Sequence, residues 1–273
     1  MHGLITRHAG ELDWQGFDRT FFEVKDASGA QREPAAGAVN ALSCFGDTAA
    51  ARDDPSLVPV DDAGRPATGE RPYFDWSYVC PSREAYREGL LALVERCAAA
   101  SPDVRLDDVG FPRAEYCRCD VCEGRFSESG YDSWGDWRAS VVTAFVESAA
   151  ERVPGSLSIA VHPDPYPGHL RTRSGVDLVD LAGVVDEVVV PLYDTAYGTT
   201  YWLEALASGF ADLFAGRVAV ELYAVDVDVD ALVRAASVAG ECVDAVYFGY
   251  DAANARAALR RMRAEGRDGV THG

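Results

Sequence analysis

The sequence predicts an α/β fold, a single-domain (β/α)8 TIM-like barrel over residues 1–273 with an irregular first or second strand. Three observations carry that expectation. Short apolar runs alternate with helical patterns, as in a parallel sheet buried on both faces by helices. The length of 273 residues suits one large barrel better than two ordinary domains. Apolar residues make up 48% of the chain, which supplies such a core and excludes a disordered chain.

The clear strand runs are Val39–Phe45, Val104–Phe111, Leu157–His162, Glu187–Leu192, Arg217–Tyr223 and Ala245–Tyr250, with a weaker one at Gly3–Arg7. Helical patterns fall at Arg83–Ala100, Ser133–Arg152, Val176–Val184, Tyr201–Phe214, Asp230–Gly240 and Ala252–Glu265. A closed barrel needs one more strand. Phe21–Lys25 fits, although the turn Asp26-Ala27-Ser28-Gly29 behind it suits a hairpin equally well. Counting it makes Val104–Phe111 the fourth strand and Arg217–Tyr223 the seventh. From Asp47 to Val79 the chain has no periodicity and carries Pro55, Pro59, Pro66 and Pro72; a loop this long in a compact domain is usually functional.

The formal charge is -19, from 44 acidic and 25 basic residues, so phosphate backbones and anionic lipid are repelled. Nucleic-acid and membrane partners are therefore not expected. Lys25 is the only lysine. An acidic, lysine-poor surface suits salt-rich cytoplasm, and we expect a halophilic, cytoplasmic protein. Met1 is followed by neither a basic segment nor an apolar one, and no run of 18 apolar residues occurs, which argues against a signal peptide and a membrane span.

Seven cysteines are unevenly placed. Cys44, Cys97 and Cys242 lie in apolar segments and read as buried thiols. Cys117-Arg-Cys119-Asp-Val-Cys122 sets three thiols on a tight loop past a strand end, and Cys80, just before the next helix, is the natural fourth. Four thiolates suit tetrahedral zinc with no open position, a structural site tying two strand-end loops together. Unliganded thiols, a disulfide with spares, or an iron–sulfur cluster are the other readings.

The segment Tyr78-Val-Cys80-Pro-Ser-Arg-Glu-Ala-Tyr86-Arg87, a helix, Val104–Phe111, then Cys117, Cys119, Cys122 and Phe126 resembles the zinc-bearing half of family 42 β-galactosidases. Leu106-Asp107-Asp108-Val109-Gly110-Phe111-Pro112 is also similar to a strand end of related, largely uncharacterised barrel hydrolases. The resemblance implies a barrel glycosidase with a structural zinc. It also exposes a departure: where that family carries an Asn-Glu acid/base pair at the fourth strand, this chain has Asp107-Asp108. Register puts Asp108 at the glutamate position, whereas the second pattern singles out Asp107.

Barrel active sites lie at the C-terminal strand ends. Those ends here present Asp47, Asp107, Asp108, His162, Asp164, Tyr193, Asp194, Glu221, Tyr223, Tyr250 and Asp251. Glycoside hydrolysis needs two carboxylates, about 5–5.5 Å apart for retention and ~6.5–9.5 Å for inversion. The favoured pair is Asp108 or Asp107 as acid/base with Glu221 as nucleophile, the position clan A barrels use on their seventh strand. These carboxylates should face one another across an open mouth. In so acidic a chain, each is alternatively a solvated surface group. His162, Asp164, Tyr193, Asp194, Tyr250, Trp76 and Trp202 are the candidate substrate contacts, because sugars stack their C–H faces on aromatic rings. Trp134 and Trp137 read as packing residues, and Asp226, Asp228 and Asp230 as an acidic lead into a helix. Nucleotide, serine-hydrolase and zinc-protease motifs are missing. Two rivals remain. One is a non-catalytic carbohydrate-binding barrel; the other is a metal-dependent hydrolase with its ion at Asp107, Asp108, His162 and Asp194.

The charge reading has a direct test. At -19 the chain repels itself, so its melting temperature should fall at low ionic strength and recover in molar salt. Equal melting temperatures in both would remove the halophilic reading.

Overall fold

The computed structural model describes residues 1–270, and side-chain surroundings for residues 1–265. The strands are β1 (His2–Thr6), β2 (Arg19–Lys25), β3 (Val39–Ser43), β4 (Val104–Asp107), β5 (Leu157–Ala160), β6 (Glu187–Pro191), β7 (Arg217–Tyr223) and β8 (Ala245–Gly249). They close into one barrel in sequence order, every neighbouring pair parallel. The helices are α1 (Thr48–Asp53), α2 (Glu84–Ala100), α3 (Asp120–Ser129), α4 (Trp134–Ala150), α5 (His169–Ser174), α6 (Leu178–Leu181), α7 (Tyr201–Leu213), α8 (Val229–Gly240) and α9 (Ala252–Val270). The fold is the expected (β/α)8 barrel, with β4 and β7 where the eight-strand count puts them.

Both readings of Phe21–Lys25 are correct in part. The segment is the second parallel strand, and after the turn at Asp26–Gly29 the chain doubles back to bridge Gln31 against Lys25 antiparallel. The predicted helix at Val176–Val184 shrinks to the single turn of α6, whose start is capped by Asp177. α1, α3 and α5 were absent from the periodicity because each is short and polar. Within the proline-broken stretch Asp47–Val79, Asp47 caps α1 by accepting from the Ala50 amide.

Two hydrophobic layers follow from the alternation of strand side chains. Outward residues such as Leu4, Phe22, Leu42, Leu106, Ile159, Val188, Val220 and Phe248 form the core shared with the helices. Inward residues Ile5, Phe21, Val39, Val189, Ala219, Ala245 and Tyr247 fill the barrel. Gly3 makes room for this filling, since a Cβ there would come within 2.6 Å of the Tyr247 ring. The bottom of the barrel is closed by Glu187, which pairs with Arg19 at 3.3 Å and Arg217 at 3.2 Å and accepts from the Tyr247 hydroxyl at 2.8 Å.

Lys25 ends β2 inside the protein, only 2% exposed. Its ammonium donates to the carbonyls of Ser43 at 2.8 Å and Gly46 at 3.2 Å and pairs with Asp47 at 3.1 Å. A buried charge persists only when paired and hydrogen-bonded in this way. The clip fixes the end of β2 to the end of β3 and to α1. Cys44 and Cys97 are buried as expected, but Cys242 is half-exposed, because it sits in the turn after α8. Among the described residues, no helix is long and apolar enough to cross a membrane.

Candidate functional site

Alternation along β4 sends Leu106 outward and both Arg105 and Asp107 into the barrel. Arg105 is fully buried and uses one edge of its guanidinium for two acids. Nε donates to Asp107 Oδ1 at 2.6 Å, and Nη2 donates to Glu221 Oε2 at 2.5 Å. Burial alone would lower the Arg105 pKa; Asp107 and Glu221 more than offset this and hold the charge in place. Asp107 keeps a reachable face, with 22% of its side chain exposed. Burial, against the pull of Arg105 and with the push of Glu221, raises its pKa to about 7.

Glu221 lies within β7, two residues short of its end, and has 0% exposed surface. Its Oε1 accepts from the Tyr193 hydroxyl, while Oε2 is held by Arg105. The expectation of a carboxylate facing an open mouth is therefore corrected: Tyr193, 46% exposed, lies between Glu221 and solvent. The Tyr223 ring lies tilted against Tyr193 at 5.5 Å and Tyr250 at 6.3 Å, making an aromatic wall along the β6–β8 side. Arg7 lies over Tyr250 at 5.0 Å and pairs with Glu23 at 3.2 Å. Burial pushes the Glu23 carboxyl up, against the pull of Arg7.

Asp108 takes a different direction from its neighbour. Its φ of 51° is left-handed and turns it out of the strand alternation. Oδ2 accepts from Ser43 Oγ at 2.5 Å, linking the ends of β3 and β4, and burial raises its pKa. A Cβ on Gly46 would lie 2.7 Å from Asp108 Oδ2 and 2.8 Å from both Ser43 Oγ and Trp76 Nε1, so only glycine fits this polar nook. Trp76 Nε1 is buried there without a hydrogen-bond partner. Of the two acids, Asp107 shares the barrel interior with Glu221, and Asp108 braces the β3–β4 junction.

The other candidates disperse. His162, two residues past β5, is half-buried; burial and then Arg173 push its pKa down to about 4, so its ring is neutral at neutral pH. Asp164 is occupied by the His169 ring at 3.1 Å and the Tyr166 amide at 3.3 Å. Asp194 caps its own turn through the Ala196 amide, and Asp251 caps the start of α9 through Asn254. Trp202, in the first turn of α7, packs on the core without a ring contact to the aromatic wall. Trp134 and Trp137 pack at 4.8 Å as expected, and Asp228 caps α8. Asp47 belongs to the Lys25 clip and also accepts from Tyr86 at 2.8 Å. Sequence reasoning missed Arg105, Glu23 and Arg7. Arg105 had a signal, since a charge two residues before Asp107 in a doubly buried strand must face the barrel and needs a partner there.

Cys80, Cys117, Cys119 and Cys122 are all buried, with their sulfurs within 4.8 Å of one another. Cys80 comes from the β3–α2 loop, Cys117 and Cys119 from the loop after β4, and Cys122 from the first turn of α3. Cys80 Sγ lies 3.3 Å from Cys122 Sγ and 4.0 Å from Cys119 Sγ, too far for disulfides. A tetrahedron with metal–sulfur bonds of about 2.3 Å sets sulfurs about 3.8 Å apart, so the cluster fits a metal site. The Cys119 amide donates to Cys117 Sγ at 3.4 Å, a contact that favours thiolate. Among the described residues this is the one group of three or more histidines, cysteines and acids placed to hold a metal; Asp107, Asp108, His162 and Asp194 form no such group.

The mouth and cysteine cluster sit on a fold shared with glycoside hydrolases. The PgaB (BpsB) glycoside hydrolase domain from Bordetella bronchiseptica superposes with a TM-score of 0.63 at 14% identity, over 83% of this chain and 73% of that one. Alpha-L-fucosidase isoenzyme 2 from Paenibacillus thiaminolyticus matches with a TM-score of 0.67 at 14% identity, over 97% of this chain but 49% of that one. The spore cortex-lytic enzyme SleL from Bacillus megaterium matches with a TM-score of 0.57 at 8% identity, over 96% and 72%. At such identities the likeness establishes the barrel. No protein-family model and no curated protein matches the sequence.

Arg105 is the pivot of the site's stability. Arg105→Met should cost about 3–5 kcal/mol in denaturant unfolding, because the fully buried Glu221 loses its counter-charge and Asp107 a hydrogen-bond donor. A loss below about 1 kcal/mol would mean that the trio is not held together by charge.

Proposed function

We propose that the protein hydrolyses glycosidic bonds at the C-terminal mouth of the barrel, with Asp107 as general acid and Glu221 as the second carboxylate. The observation that supports this most is the shared guanidinium edge of Arg105, which keeps a reachable acid and a buried one side by side. Their environments differ in the way acid and nucleophile require. Asp107 retains its proton near neutrality, while Arg105 neutralises and orients Glu221. Glu221 becomes reachable only when Tyr193 releases it, so substrate must displace that hydroxyl. His162, Tyr193 and Tyr250 border the place a sugar would occupy, and Trp76 and Asp108 support it from the β3–β4 junction. The barrel of the neighbouring glycoside hydrolases and the family 42 resemblance favour the same chemistry.

One observation favours a second reading, a non-catalytic carbohydrate-binding barrel: Glu221 has no exposed surface and both oxygens are engaged. Hydrolysis of aryl glycosides separates the two. Under the first reading, Glu221→Gln abolishes turnover of activated aryl glycosides. Asp107→Asn slows poorly activated ones by about 10²–10⁴ and activated ones far less, since good leaving groups need little protonation. The wild-type kcat/KM should fall as pH rises through about 7, where Asp107 loses the proton it must donate. Sugar binding without turnover of any aryl glycoside would leave the binding barrel standing.

We further propose zinc for the four cysteines, a structural ion with no open coordination position. When bound it contributes folding energy by joining the loops after β3 and β4. Elemental analysis should give one zinc per chain, and Cys119→Ser should lower the melting temperature. Purified protein without metal, equally stable with and without chelator, would remove this assignment.

A further inference from the structure

Alternation along β1 and β2 sets two further charges above the filled layer of the barrel. Ile5 and Phe21 belong to that layer, and Arg7 and Glu23 lie two residues beyond them, Arg7 just past the end of β1. Glu23 is 8% exposed, whereas the Arg7 side chain is 44% exposed. Arg7 Nε stands 3.2 Å from Glu23 Oε2, a contact of charge without hydrogen-bond alignment, and Oε2 is buried without a donor. Among the described residues, the Arg7 guanidinium donates no hydrogen bond and the Glu23 carboxylate accepts none. The backbones that carry them are pinned. Thr6 Oγ1 accepts from the His8 amide at 3.0 Å and donates to Glu11, while Arg32 donates to the Glu23 carbonyl at 3.1 Å and pairs with Asp26 at 3.1 Å.

Small residues separate this pair from the Arg105 trio. Register places Glu23 opposite Ala41 and Ala41 opposite Arg105, so only the Ala41 methyl stands between those two positions. On the other side Ile5 pairs with Gly249, where a Cβ would lie 3.2 Å from Glu221 Oε1. Tyr250 ties the two groups together. Its amide donates to the Ile5 carbonyl at 3.0 Å, its φ of 70° turns it out of the strand alternation, and Arg7 lies 5.0 Å over its ring. From Tyr250 the aromatic wall runs through Tyr223 to Tyr193, whose hydroxyl bonds Glu221. Arg7 and Glu23 therefore border the same mouth as Asp107 and Glu221, from the β1–β2 side. A guanidinium beside a carboxylate has no net charge with which to select an anion or a cation. It offers donors next to acceptors, and a hydroxyl group is both. Sugar ring hydroxyls suit such a pair, accepting from Arg7 and donating to Glu23. Hydrogen bonds to charged groups are the stronger kind, so a missing hydroxyl is felt.

We propose that Arg7 and Glu23 form the hydroxyl-recognition subsite of the mouth, gripping one or two ring hydroxyls of a neutral sugar and so setting which sugars are accepted. The proposal rests on the glycosidase reading for the presence of a sugar and adds the groups that select it. The test is calorimetric titration of the intact protein with the methyl glycosides of glucose, galactose, mannose and fucose, then with the monodeoxy derivatives of the tightest binder. Removal of the gripped hydroxyl should weaken binding to wild type about tenfold or more. Arg7→Gln and Glu23→Gln should each bind that sugar and its deoxy derivative equally, with the penalty at other ring positions unchanged. Arg7→Lys, with charge but no planar fork, should keep part of the discrimination. Melting temperatures check that each variant is folded. If Arg7→Gln unfolds because Glu23 is left without its counter-charge, Glu23→Gln carries the test with a neutral group of the same shape. Wild type that binds no sugar, or that tolerates every deoxygenation, overturns the proposal, as does a wild-type penalty that persists in a folded glutamine variant. Discrimination that the variants lose, without turnover of aryl glycosides, sinks the glycosidase and keeps the subsite. Turnover without discrimination does the reverse.

Discussion

A guanidinium enclosed in the barrel, with a carboxylate on each of two nitrogens of one edge, sets the terms for everything above it. Taking three charged groups out of water is costly, and it is offset only where hydrogen bonds and opposite charge meet the desolvated atoms. Arg105 meets Asp107 and Glu221 that way, and Tyr193 completes Glu221 from above. The surrounding residues are small where the trio needs room: a Cβ on Gly249 would stand 3.2 Å from Glu221 Oε1. Asp107 is drawn toward neutrality because it shares its cation with a second acid in a poorly solvated place.

The rim around this centre is built in two styles. From β3 to β5 the loops are fastened by discrete clamps, the Lys25–Asp47 pair and Arg138 on the carbonyls of Arg113 and Thr172, to which the proposed zinc would add the cysteine cluster. From β6 to β8 the wall consists of Tyr193, Tyr223 and Tyr250 in mutual contact, with Tyr193 among the more exposed large side chains. The clamped loops are held by several bonds each, whereas Tyr193 is held by its hydroxyl on Glu221 and by ring contact with Tyr223. Under the proposed function, the side by which a sugar would reach Glu221 is the side without clamps.

Much of this was legible in the residues. Seven strands and the cysteine set follow from periodicity and spacing, the eighth strand from the closure a barrel needs, and Asp107 and Glu221 became candidates through strand-end position and the family resemblance. The choice between Asp107 and Asp108 did not follow, because it turns on a single left-handed residue that reverses a side chain just past the strand end. Nor did the burial of Glu221. The strand Arg217–Tyr223 was as expected, but Arg105 and the Tyr193 hydroxyl, which engage both carboxylate oxygens, come from β4 and the loop after β6 and leave no mark on the β7 sequence. Short polar helices such as α5 lack a hydrophobic stripe to announce them.

Lys25 has a consequence beyond the β2–β3 junction. As the only lysine in the chain, and one that is 2% exposed, it leaves the folded surface without a lysine amine. Acetylation, methylation, ubiquitin-type conjugation and succinimide-ester labelling all require a reachable primary amine. On the folded chain such reagents find no lysine amine at the surface. Labelling at Lys25 would report opening of the β2–β3 junction, so the fold carries a built-in chemical reporter of its own local unfolding.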